Sequence, residues 1–189
     1  MPLTLPNILT LLRVAAIPLL AVLFYLDHPW GTWGASAVFW LAAVTDWFDG
    51  WLARRSGQTT AFGAFLDPVA DKLIVATALI LLADRFDDWI ITLSACVVIG
   101  REIVVSALRE WMAQLGRHAS VKVTQVAKIK TFMQMLAIWM LLMLLPDIGY
   151  RPWYWLGEGI LVIAVALTLW SMVVYLRVFM QVVRETDGA

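Results

Sequence analysis

The chain has 189 residues, 62% of them hydrophobic and 15% charged, and its formal net charge is zero. That apolar share lies far above an ordinary soluble domain and excludes one, while the balanced charge gives no global field toward nucleic acid. The one cysteine, Cys96, excludes an intrachain disulfide and reads as a small buried or lipid-facing residue.

Six apolar segments follow one another, at roughly 8–26, 34–54, 66–84, 88–109, 124–145 and 155–180. Each is long enough to cross a hydrocarbon core of about 30 Å at about 1.5 Å per residue. Backbone groups in lipid must be satisfied within their own segment, so the segments are predicted as helices. The expected fold is all-α: a polytopic membrane protein with six transmembrane helices in a single domain over 1–189. The first segment holds Arg13 and lacks a small-x-small cleavage pattern, so it is expected to stay as a membrane helix.

Turn residues punctuate three connections: LDHPWGTWG, ADRFDD and PDIGYRPW. The other two, RRSGQTTAFGAF and REWMAQLGRHASVKV, are more polar. Arg85 and Arg151 are the only basic residues on the side of the first set of loops. The rest lie on the opposite side or in helices near it, so the positive-inside rule puts both termini and the 46–72 stretch at the cytoplasm. Trp30, Trp33, Trp89, Trp153 and Trp155 cluster at segment ends and read as an interfacial belt.

The stretch DWFDGWLARRSGQTTAFGAFLDPVADK places Asp46, Asp49, Asp67 and Asp71 between the second and third segments. On a helix, Asp46, Asp49, Gly50 and Ala53 share one face, and Gly63, Asp67 and Asp71 form a stripe on the next. A short reversal lets the stripes face each other, and Pro68 suits the first turn of its helix. A carboxylate at membrane depth costs about 2.5–3.5 kcal/mol on insertion scales, and mutual repulsion adds to that. Pairing with Arg54, Arg55 or Lys72 would answer one acid; four facing acids call for divalent metal. An all-oxygen donor set favours Mg2+, Mn2+ or Ca2+ over zinc. The small residues Gly50, Ala53 and Gly63 serve either close helix packing or room for a ligand.

The spacing Asp46-x2-Asp49-Gly50-x2-Ala53-Arg54-x8-Gly63-x3-Asp67-x3-Asp71 resembles, at every fixed position, the signature of the CDP-alcohol phosphotransferase family. The flanking stretches LPNILTLLRVAAIP, GREIVVSALREW and AKIKTFMQM resemble the bacterial branch whose acceptor is sn-glycerol 3-phosphate. The resemblance implies six transmembrane helices, a homodimer, and an active site open to the cytoplasm in a bacterial inner membrane. It implies CDP-diacylglycerol and sn-glycerol 3-phosphate as substrates, with phosphatidylglycerophosphate and CMP as products. Two divalent ions, Mg2+ or Mn2+, would be held by the four aspartates, and Asp71 would also be the catalytic base.

For the CDP and lipid headgroup the expected residues are Asn7, Thr10, Arg13, Asp49, Gly50, Ala53, Arg54 and Gly63. Asn7 also suits a helix cap, and Arg54 the membrane interface. The acceptor's phosphate needs cations, for which Arg101, Arg109, Lys128 and Lys130 are the candidates. Arg101 and Lys128 serve equally as counterions to the acids or as snorkelling side chains, and Arg109 as surface charge. Thr124, Lys128, Thr131 and Gln134 are assigned to one face of the fifth helix, with Lys130 about 160° from Lys128 at 100° per residue, which favours Lys128 over Lys130. The motif does not separate acceptors, so serine or inositol phosphate are alternatives, as is a divalent-cation transporter from another class.

Overall fold

The computed structural model describes residues 5–26, 28–56, 61–114, 125–144 and 151–187; side chains at 5–6, 47–56, 61–62, 64, 125–128 and a few positions of the last helix lie outside that description. Six helices run in order: α1 Leu5–Phe24, α2 Pro29–Ser56, α3 Ala61–Phe86, α4 Trp89–Gln114, α5 Gln125–Leu142 and α6 Arg151–Asp187. They form a ring. α1 packs on α2 and α3, α3 on α4, α4 on α6, α6 on α5, and α5 returns to α2 and α3.

The connections explain themselves locally. Pro29 opens α2, where its missing N–H costs nothing. Gly31 lies against the end of α1; a Cβ there would sit 2.6 Å from the Leu23 carbonyl oxygen and 2.7 Å from that of Leu26. Between α3 and α4, Asp87 takes a positive φ of 46°, a conformation aspartate tolerates. Asp88 then caps α4, its Oδ1 accepting from the Ile90 N–H at 2.7 Å.

Two sequence expectations change here. The reversal between the acidic stripes is shorter than expected, because α2 continues to Ser56 and α3 begins at Ala61. Pro68 therefore lies inside α3 rather than in its first turn. A proline there forfeits one backbone hydrogen bond, a loss that neighbouring helices in a membrane bundle accommodate.

The core fills the ring with large apolar side chains, among them Leu20, Phe39, Leu79, Leu82, Ile138 and Leu161. Large apolar side chains also face outward, such as Val22, Ile80, Ile103 and Phe132, as a lipid-facing surface requires. Trp30, Trp33, Trp89, Trp153 and Trp155 are all exposed and sit at the first turns of α2, α4 and α6, one end of the bundle. Among the described residues, three helices are long and apolar enough to cross a membrane, at Asn7–Phe24, Trp89–Gln114 and Pro152–Arg177. The chain is thus an all-helical, polytopic membrane protein. In α3 the apolar run is interrupted by Asp67, Asp71, Lys72, Asp84 and Arg85, and the described apolar part of α5 is short, Ile129–Leu142.

Candidate active site

Asn7, Thr10 and Arg13 recur every third residue of α1, so they line one face, and all three are buried. That face meets α3. The Thr10 hydroxyl donates to Asp67 Oδ1. One Arg13 guanidinium nitrogen donates to Asp71 Oδ1 at 2.6 Å and lies 3.3 Å from Asp46 Oδ1. The facing of the two acidic stripes thus takes a specific form: Asp46 of α2 and Asp71 of α3 converge on one cation from a third helix. Gly63, in the first turn of α3, is buried.

This ion pair was not foreseen. The sequence offered Arg54, Arg55 or Lys72 as counterions because they are near in the chain. Lys72 instead donates to the Ser106 hydroxyl on α4, and Arg54 and Arg55 have side chains outside the described residues, as do Asp49, Gly50 and Ala53. The signal for Arg13 was present in the register of Asn7, Thr10 and Arg13 along α1. Thr10 and Arg13, expected at the headgroup, spend donors on the carboxylates.

Whether the acids suit a divalent ion turns on charge and donor type. Asp46 and Asp71 repel one another across a single arginine, and Asp67 lies one helical turn away. Among the described residues the buried charge of Arg13 meets Asp46 and Asp71, Asp67 accepts from the neutral Thr10 hydroxyl, and every carboxylate donor is a hard oxygen. That balance fits Mg2+ or Mn2+. Among the described residues no three acidic side chains close a metal-sized group on their own; the Asp49 side chain lies outside that set.

Asp46 and Asp71 open into a cavity of about 910 Å3 between α3, α4, α5 and α6. Its polar wall carries Lys72, Arg101, Arg109 and Lys130 against Glu102. Its apolar wall includes Ile103, Phe132 and Trp170, all exposed on the lipid-facing surface. The cavity therefore joins ionic groups to side chains that face the lipid.

The cationic wall corrects the reading of α5. Lys130 does not turn away from Thr131 and Gln134; all three line the cavity. Each step of three residues turns a helix about 60° short of a full circle, so the stripe drifts. By Gln134 it has reached the side of Lys130, four residues earlier and about 40° away. The Lys128 side chain is outside the described residues. Lys130 is buried, at 6% exposure. Among the described residues it makes no ion pair; Arg101 repels it and Glu102 attracts it. Arg109 stands exposed at the rim.

The family model for CDP-alcohol phosphatidyltransferase matches residues 3–170, nearly the whole ring of helices. The chain belongs to this family. Its relatives include the CDP-diacylglycerol–glycerol-3-phosphate 3-phosphatidyltransferases of Salmonella choleraesuis (strain SC-B67) and Escherichia coli (strain K12). Each is 49% identical over 180 residues, covering 93% of this chain and 94% of the relative. The acidic signature lies on α2 and α3, and the cavity that Asp46 and Asp71 open into is lined as well by residues no signature names: Lys72, Glu102 and Ser171.

Proposed function

We propose that the protein transfers the phosphatidyl group of CDP-diacylglycerol to sn-glycerol 3-phosphate, releasing CMP. The observation that carries this is the sharing of one cavity by opposite chemistries. Carboxylates suited to a metal-bound diphosphate line it, and the ammonium of Lys130, buried and without an ion pair among the described residues, lies with Arg101 in the same space. A buried cation without a carboxylate partner is costly unless an anion arrives to meet it. The names of the relatives support the choice of acceptor.

Asp46, Asp49, Asp67 and Asp71 would hold two divalent ions, Mg2+ or Mn2+. Bound there, the ions supply neutralisation of the diphosphate and stabilisation of the leaving CMP oxygen. Arg13 holds Asp71 by one oxygen and so fixes the direction of its carboxylate. Asp71 accepts the proton of the glycerol 1-hydroxyl, whose oxygen attacks the β-phosphorus as the bond to CMP breaks. Arg101, Lys130 and Arg109 take the acceptor's phosphate, with Lys128 as a further candidate. The CDP end is assigned to Asn7, Asp49, Gly50, Ala53, Arg54 and Gly63, with Thr10 and Arg13 acting through the carboxylates they hold. The apolar wall lets the acyl chains stay in the bilayer.

The proposed setting is a bacterial inner membrane crossed six times by a single catalytic unit, a homodimer with the site facing the cytoplasm. Purified protein is given CDP-diacylglycerol and, separately, labelled glycerol 3-phosphate, inositol phosphate and serine. CMP release and label in lipid are expected with glycerol 3-phosphate alone and vanish with chelator. Asp71→Asn should abolish turnover while the protein remains folded. Label from serine with none from glycerol phosphate would overturn the acceptor, and ion flux in liposomes without CMP release would overturn the enzyme.

A further inference from the structure

Arg101 is held in an unusual way for a side chain at a cavity wall. One terminal nitrogen donates to Glu102 Oε1 at 2.6 Å, and the other to Ser171 Oγ of α6 at 3.2 Å. The Ser171 hydroxyl spends its own proton on the Thr168 carbonyl at 3.0 Å, so it presents a lone pair to the guanidinium. Both terminal nitrogens are thus pinned, and the Arg101 side chain is 14% exposed. The Ser106 hydroxyl, which accepts from Lys72 on α3, donates to the backbone carbonyl of Glu102 at 2.6 Å, a bond within α4 that leaves the Glu102 carboxylate to Arg101. Two helices, α4 and α6, converge on the orientation of one guanidinium.

Lys130 faces the same space and repels Arg101. Without an acceptor oxygen beside it, a long arginine side chain relieves such repulsion by swinging toward water. Glu102 and Ser171 oppose that swing.

We propose that Glu102 and Ser171 are positioning residues for the acceptor's phosphate, holding Arg101 beside Lys130 before the substrate arrives. The inference rests on the acceptor reading above and deepens it. A guanidinium already fixed loses less freedom on binding an anion than one that must first be ordered. Two effects of Glu102 oppose each other, since its charge repels a phosphate while its oxygen orients the arginine. Glu102→Gln removes the charge and keeps an acceptor oxygen. Glu102→Ala removes both. Ser171→Ala leaves every charge in place and removes one tether.

Initial rates of the full-length protein in detergent, with each substrate varied, separate these. Orientation as the dominant effect predicts that Glu102→Ala raises KM for glycerol 3-phosphate about tenfold or more, with kcat within about threefold. KM for CDP-diacylglycerol stays unchanged. Ser171→Ala raises the acceptor KM about threefold or more, and Glu102→Gln stays within about threefold of the wild type. An unchanged or lowered acceptor KM in Glu102→Ala overturns the proposal, as does an equal rise in both KM values. Should Glu102→Ala fail to fold, Ser171→Ala decides by the same criterion. Wild-type protein inactive with glycerol 3-phosphate defeats the acceptor reading and this inference together; an active wild type with an indifferent Glu102→Ala defeats the inference alone.

Discussion

Lys130 and Arg13 are both cations buried in a membrane bundle, and their surroundings give them opposite tasks. Arg13 is neutralised by two carboxylates, so removing it would leave Asp46 and Asp71 facing each other in a region of low dielectric. Among the described residues Lys130 makes no such ion pair, and its charge lines the cavity. A charge-assisted contact contributes about 1.5–3 kcal/mol, or roughly 10- to 100-fold in an equilibrium constant. Lys130→Met is therefore expected to raise KM for glycerol 3-phosphate by about that factor, with KM for CDP-diacylglycerol unaffected. Lys128→Met, measured in parallel, is expected to change the acceptor KM less. A larger effect at Lys128 would return the acceptor site to the face first read from the sequence. The four acids were legible because their spacing is local. Glu102 was not, because a lone glutamate beside an arginine carries no pattern, and its meaning comes from Ser171 on another helix.

At the scale of elements, the tightest contact among the described glycines lies where α1 meets α2. Gly31 faces backbone carbonyl oxygens, which cannot rotate aside as side chains can. Gly34 faces only the Leu23 side chain, at 3.3 Å and beyond, which can yield. Gly31→Ala is therefore expected to destabilise the protein by about 1–3 kcal/mol, seen as a Tm several degrees lower in detergent, while Gly34→Ala changes little. Equal melting of the two variants would mean that the α1–α2 contact is softer than its geometry indicates. This contact matters to the site because α1 carries Thr10 and Arg13. The helices themselves were readable from apolar run length. Their ends were less so: α3 starts five residues before the apolar run that announced it, since Ala61, Phe62 and Gly63 extend the helix through the acidic stripe.

For the whole molecule, six helices in a ring return the start of α1 and the end of α6 to one side, and the exposed Trp30, Trp33, Trp89, Trp153 and Trp155 mark the other. The site lies toward the side of the termini, near the α2–α3 connection, where soluble glycerol phosphate would enter. With Cys96→Ser removing the one native thiol, Thr59→Cys and Asp147→Cys report the two sides. In intact cells a membrane-impermeant maleimide is expected to label position 147 and spare position 59. The reverse pattern would place the acids on the outer face and remove the proposed access to cytoplasmic substrates.

What the sequence determined by itself is whatever depends on a short stretch of chain. Apolar run length set the helices and the membrane as their solvent, and spacings of three and four set which acids share a face. Those follow from backbone geometry alone, with no reference to the rest of the fold. Only the tertiary structure decided that Arg13 answers Asp71, 58 residues away, and that Lys130 lines the cavity with Arg101, Glu102 and Ser171. Such meetings depend on how each helix is rotated against its neighbours, and that rotation is set by packing around the whole ring.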